Sequence, residues 1–338
     1  MPRSWLLRVC NFTYTMNKFT FTAICAALLT GTACFLSVPA FGGSCCGGGG
    51  GAALVLPKMY QDIVDVSFDS EKYEGFWSPQ GEYTYAPVGY QYRLNAGYAH
   101  RLAENWQASI SVPYVWNDNQ YSNGSAHYSN IGDTMLNLWY EALEDKSAWK
   151  IRSMKDLIPS VTIGPSILIP TGISPYDNRT SSYDITGRGF YRFDGNILIT
   201  KTIHPWTASL TLAYGTYLQR AVDEEYGRYV EPFEEKLGNR SFGAVSLGYI
   251  YYIGSAGDTL TGTASLSTLR EENATINGQR EPESGFQKDA YGGSLAYSST
   301  DSDWAIRVSC SNAIPRNGWG SNFPATQIYS VGVSYAFR

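Results

Sequence analysis

Alternating apolar and polar residues recur in about twelve segments between positions 61 and 338, joined in turn by short and by long polar connections. The clearest runs from Trp106 to Trp116. Trp106, Ala108, Ile110, Val112, Tyr114 and Trp116 occupy one face of an extended chain, and Gln107, Ser109, Ser111, Pro113 and Val115 the other. Successive side chains of a strand point to opposite faces, so one face suits lipid and the other a polar interior. An aromatic residue begins and ends the apolar face, where such a strand would meet the two membrane interfaces. The pattern predicts an all-β protein: a single antiparallel up-and-down transmembrane β-barrel of about 12 strands, with short periplasmic turns and long extracellular loops.

The same reading extends along the chain. Segment 61–69 is the weakest, setting Val64, Val66 and Phe68 against Asp65 and Ser67. Segment 89–101 puts Tyr90, Tyr92, Leu94, Ala96 and Tyr98 outward and Gln91, Arg93, Asn95 and Gly97 inward. Segment 131–143 opposes Thr134, Leu136, Leu138 and Tyr140 to Asp133, Asn137 and Glu141, and 189–202 opposes Tyr191, Phe193, Ile197 and Ile199 to Arg192, Asp194, Asn196 and Thr200. Segments 158–170, 206–218, 241–253, 259–270, 288–299, 303–313 and 327–338 complete the set. The last ends in alternating aromatics, which suits the barrel-assembly machinery as a partner. The long stretches 70–88, 117–130, 171–188, 219–240, 271–287 and 314–326 are expected outside, and the short turns with both chain ends in the periplasm. Trp106, Trp206 and Trp304 each follow a short turn directly, so with Trp116 they are expected to form a membrane-interface girdle rather than a binding site.

No stretch after the N-terminus has the roughly 20 uninterrupted apolar residues of a spanning helix. A chain embedded in lipid must then pair every backbone group between strands of a closed barrel. Residues 1–42 read as a signal peptide. Met16 is the better start, Lys18 supplies the charge, Ala23 to Val38 the apolar region, and Ala40, Phe41 and Gly42 an A-x-G cleavage pattern. Residues 43–59 form a Cys/Gly-rich periplasmic linker and 60–338 the barrel. Removing the signal takes the formal charge from −5 to −8, because Arg3, Arg8 and Lys18 leave with it. Nucleic acid is therefore not an expected partner; the lipid bilayer of the outer membrane and an unknown small-molecule solute are.

Beyond the signal only Cys45, Cys46 and Cys310 remain, too few for a disulfide framework. Cys45 and Cys46 lie in a glycine run that reads as a flexible tether, with modification, a metal or an intermolecular bridge as the alternatives. Cys310 falls on a lipid face as a small apolar residue.

The charges predicted to line the lumen are Arg93, Asp133, Glu141, Arg192, Asp194 and Arg307. In a pore they would set the local field; in a narrow barrel opposite charges pair to hold the wall, since a buried charge needs a partner. An outer-membrane hydrolase is the enzymatic rival. Only His100, His127 and His204 exist, none beside a nucleophile motif. No nucleotide loop or metal-ligand spacing appears, so no catalytic residue, metal or cofactor is expected.

Three consecutive pieces carry a resemblance: Ser109 to Val115 (SISVPYV), Asn130 to Tyr140 (NIGDTMLNLWY) and Ile163 to Gly172 (IGPSILIPTG). In order and spacing they resemble the outer-membrane transporter family named for the meta-pathway of phenol degradation. That resemblance covers about residues 88–338 and is most specific between 105 and 205. It implies a 12-stranded barrel transporter for passive uptake of small molecules, aromatic or other hydrophobic compounds among them. Physically, Pro113, Pro170 and Gly172 serve as strand-end breakers, and Gly132 with Asp133 opens a strand at the outer rim. The rival is a non-conducting barrel acting as receptor, adhesin or anchor through its acidic loops, a reading that a lumen blocked by Gly43 to Met59 would favour.

Overall fold

The computed structural model describes residues 54–78, 82–121, 124–178, 184–254, 257–282, 284–299, 303–314 and 323–337. The signal reading of 1–42, Cys45 and Cys46 lie outside the described residues. Apart from the 3-10 turn Met154–Leu157, the named elements are strands: β1 Asp62–Trp77, β2 Tyr83–Ala103, β3 Trp106–Tyr121, β4 Gly124–Ile131, β5 Thr134–Leu143, β6 Ser160–Ile169, β7 Arg192–Ile203, β8 Trp206–Tyr217, β9 Arg220–Glu225, β10 Arg228–Lys236, β11 Arg240–Ile253, β12 Asp258–Glu271, β13 Thr275–Ile276, β14 Gln279–Arg280, β15 Phe286–Ser298, β16 Trp304–Ala313 and β17 Phe323–Phe337. No described helix is long and apolar enough to cross a membrane.

Twelve of these strands, β1, β2, β3, β5, β6, β7, β8, β11, β12, β15, β16 and β17, pair antiparallel with their neighbours in chain order. The sheet closes where β1 meets β17, from Asp62↔Phe337 to Trp77↔Phe323. Closure leaves no edge strand unpaired, which a sheet in lipid requires. The outer face carries Val64, Val66, Phe68, Leu94, Ile110, Leu136, Ile163, Leu247, Val308 and Val331, each more than a third exposed. An apolar belt on this scale is far larger than the patches soluble monomers leave open to water. The inner face is polar, with Asp65, Arg93, Asn95, Gln107, Ser166 and Asp194 all buried. Inward and outward residues follow the predicted alternation, and Cys310 is exposed.

Several stretches expected as extracellular loops are strand. β1 and β2 run on together to Trp77↔Tyr83, so much of 70–88 is barrel wall. The stretch 117–130 is a ribbon in which β4 continues along β3 from Tyr114↔Ile131 to Tyr121↔Gly124. β9, β10, β13 and β14 build a separate four-stranded sheet out of 219–240 and 271–287. These extensions lack clean apolar alternation because beyond the membrane neither face needs to be apolar.

Candidate functional site

At the end of the barrel where the short turns lie, the segment Leu54–Tyr60 is held inside the wall. Arg101 points inward from β2 and is 9% exposed. Its guanidinium donates to four carbonyls: Leu56 O at 3.3 Å, Pro57 O at 2.9 Å, Tyr60 O at 3.1 Å and Glu104 O at 2.9 Å. Gln107 Oε1 accepts the Leu56 N–H. Leu56 and Tyr60 pack with Ile63, Ala99 and Ala336, and Leu54 leans on this cluster. Apolar burial and a fan of charge-assisted hydrogen bonds therefore seat the segment in the mouth.

Further along the axis the wall is stitched by ion pairs and hydroxyl contacts. Arg307 on β16 passes over β17 to grip both oxygens of Asp65 on β1, at 2.6 and 2.7 Å. Gly332 on β17 makes this possible, since a Cβ there would lie 3.0 Å from the guanidinium carbon. Arg93 donates to Glu71 at 2.7 Å and to Gln91 at 2.6 Å, and its Nε lies 3.7 Å from Asp69. Glu71 also accepts from Lys288 of β15 at 3.0 Å, a contact that reaches across β16 and β17. Between these pairs lie small polar side chains, such as Asn137 on Ser109 at 3.1 Å, Asn196 on Ser166 at 3.0 Å and Ser209 with Ser246 at 2.7 Å.

The opposite mouth is narrowed by the connection between β6 and β7, described as 170–178 and 184–191. Asp133, in the break between β4 and β5, accepts the backbone N–H groups of Gly172 at 3.1 Å and Arg188 at 2.9 Å. Gly187 packs against Asp133 and Gly172 so closely that a Cβ would collide with both. Asn117 holds the connection by donating to Ile185 O at 2.7 Å. From this support Arg188 extends over β7, β8 and β11 to form a bidentate pair with Glu271 of β12, at 2.6 and 2.7 Å. The Tyr217 hydroxyl donates to Glu271 at 3.2 Å, and both Arg188 and Arg192 lie over the Tyr217 ring at 5.4 and 5.5 Å. Arg192 also donates to Asp194 at 2.7 Å.

Outside the barrel wall, Tyr176 in this connection donates to Glu235 of β10 at 2.5 Å. Burial raises the Tyr176 hydroxyl above its ordinary range, reinforced by Glu235. Burial likewise raises Glu235, with the Tyr176 hydrogen bond acting against it.

Of the six expected lumen charges, Arg93, Arg192, Asp194 and Arg307 sit in ion pairs. Asp133 holds backbone of the β6–β7 connection. Glu141 is half-buried and makes no ion pair among the described residues. Trp106, Trp206 and Trp304 are 42, 51 and 52% exposed, and each leans on a tyrosine of the neighbouring strand: Tyr140, Tyr249 and Tyr335, at 4.9, 5.0 and 4.6 Å. Trp116 packs edge-on against Tyr114 at 4.8 Å.

Sequence reasoning missed Glu71, Glu271 and Arg188, which it assigned to loops, and Arg101, which it left without a role. It also missed Trp139, which takes the inward parity of β5 and is 1% exposed. Strict alternation from Leu138 could have found it.

No protein-family model matches the chain, and no curated protein does. Among solved structures, an outer membrane channel from Pseudomonas putida F1 is similar at a TM-score of 0.60 and 13% identity, over 85% of this chain and 99% of that one. The beta domain of the Bordetella autotransporter BrkA gives 0.48 at 9% identity, over 82% and 100%, and the translocator domain of the autotransporter NalP from Neisseria meningitidis 0.41 at 13%, over 82% and 88%. At 13% identity the likeness to the Pseudomonas putida channel is one of fold.

Proposed function

We propose that the chain is an integral outer-membrane channel for passive diffusion of small solutes, with the short turns and both chain ends in the periplasm. The carrying observation is a closed barrel whose inner wall is mostly polar and whose charges are largely paired. The wall can then line a water-filled path without large uncompensated fields. The seam between β1 and β17 is paired from Asp62 to Trp77 with one bulge between Tyr73 and Gly75, which favours a route along the axis over one through this seam. Ion pairs and hydroxyls fit small polar or amphipathic molecules better than wholly apolar ones. Kinship with the phenol meta-pathway transporters, and aromatic compounds as cargo, belong to the same proposal and rest on the SISVPYV, NIGDTMLNLWY and IGPSILIPTG pieces.

A second reading, a non-conducting barrel that works through its outer surface, draws on the segment Leu54–Tyr60 in one mouth and the β6–β7 connection in the other. Single-channel conductance of the refolded protein in planar bilayers separates the two, with deletion of Gly43–Met59 run alongside. Stable conductance steps, larger in the deletion, support the channel. Silence from both proteins, with folding verified by heat-modifiable gel mobility, supports the second reading.

A further inference from the structure

The connection between β5 and β6, residues 144–159, is the longest at the turn end of the barrel. It is pinned to the wall rather than hanging free. Asp145 accepts the Thr202 backbone N–H at 2.7 Å and pairs with Lys201; the backbone N–H of His204 donates to Ala148 O at 2.8 Å, and Ala148 bridges Ile203. Lys201 also donates to Ile158 O at 3.1 Å. Trp149 then stacks on His204 at 4.6 Å and leans on Tyr252 at 5.3 Å. The connection thus runs along the rim beside Trp206, which leans on Tyr249.

Its side chains do not suit water. Trp149, Ile151 and Met154 are 70, 51 and 80% exposed, and Leu157 and Ile158 are exposed beside them. Interleaved with them stand Lys146, Lys150, Arg152 and Lys155, all exposed and without an ion pair among the described residues. The acids of the segment are engaged elsewhere: Glu144 with Lys58, Asp145 with Lys201, and Asp156 with the backbone N–H groups of Arg152 and Ser153. The result is a cationic strip with an aromatic and aliphatic edge, fixed along the rim of the barrel. That combination partitions into a headgroup region and attracts anionic lipid.

We infer that residues 146–158 form a docking strip for anionic phospholipid headgroups of the periplasmic leaflet, with Lys146, Lys150, Arg152 and Lys155 engaging the phosphates and Trp149, Ile151 and Met154 sinking among the glycerol and upper acyl groups. The inference rests on the barrel being embedded in a bilayer with its short turns in the periplasm, as proposed above, and is independent of whether it conducts solutes.

The test reconstitutes the full chain in nanodiscs of equal phosphatidylglycerol and phosphatidylcholine and counts the lipids retained after mild extraction by native mass spectrometry. Phosphatidylglycerol should be retained about fivefold over phosphatidylcholine for each headgroup that engages one basic side chain. The variant K146Q/K150Q/R152Q/K155Q should bring that ratio close to about one, whereas R228Q/R280Q, at the opposite end, should leave it unchanged. A wild type without enrichment, or a quadruple variant that keeps it, would overturn the assignment.

A second measurement does not depend on the charge variants. Wild-type fluorescence minus that of W149F reports Trp149 alone. It should be quenched by lipids brominated near the glycerol backbone; quenching only by aqueous iodide would overturn the interfacial placement. Failure of the barrel to enter bilayers at all appears separately, as absence of the heat-modifiable band and of lipid quenching at every tryptophan.

Discussion

At the residue scale the barrel depends on side chains that reach past their immediate neighbours. Arg307 grips Asp65 only because Gly332 leaves the intervening strand bare. R307A would leave Asp65, 7% exposed, without its partner. An orphaned buried carboxylate costs several kcal/mol, but the Arg307 side chain is 37% exposed, so a discounted cost of about 1–3 kcal/mol is expected, read as a lower urea midpoint in liposomes. R307K should recover less than half of it, since an ammonium cannot reproduce the bidentate contact. Gly164 presents a harder constraint, because a Cβ there would collide with the Leu138 carbonyl of the adjacent strand. Backbone cannot swing aside as a guanidinium can. G164A should therefore destabilise by about 1–3 kcal/mol or more, seen as a reduced heat-modifiable fraction on gels.

At the element scale the sheet of β9, β10, β13 and β14 should respond to pH through Glu235. Burial raises its carboxyl above the ordinary value, so the folded sheet binds this proton more tightly than the unfolded chain does. Its stability is then greatest below the ordinary carboxylate range and declines as pH rises through the raised native value. After correction for intrinsic exchange rates, amide protection in β10 should fall as pH rises above the ordinary carboxylate range in the wild type and stay flat in E235Q. A wild-type profile as flat as that of the variant would show that Glu235 carries no such linkage. This sheet was not legible in the sequence. Asp223, Glu224, Glu225, Glu231 and Glu234 make the stretch look like a solvated loop, and a short ribbon outside the membrane lacks the alternation that marks a strand.

For the whole molecule, the two occupied mouths lie in series along one axis, so their resistances add. R101A removes the guanidinium that holds Leu54–Tyr60, and R188A removes the strut from the β6–β7 connection to Glu271. Either change alone should raise single-channel conductance modestly, since the other mouth still limits flow, and the double variant should raise it by more than the sum of the two gains. A double variant no more conductive than the better single one would show that one mouth sets the whole resistance.

Strand number, the closed antiparallel barrel and the alternation of inward and outward faces all follow from the sequence by itself. A strand between lipid and a polar interior must alternate with period two, and that constraint is written locally in each segment. Which charges meet is not local. Glu71 and Lys288 are 217 residues apart, and Asp65 and Arg307 242. Their encounters depend on closure of the sheet and on its stagger. The folding of Leu54–Tyr60 and the β6–β7 connection into the two mouths, and the pinning of residues 144–159 along the rim, were likewise decided by tertiary contacts. Each rests on side chains such as Arg101, Asp133 and Lys201, whose partners are mostly backbone groups, and a hydrogen bond to backbone leaves no mark on the sequence of the partner.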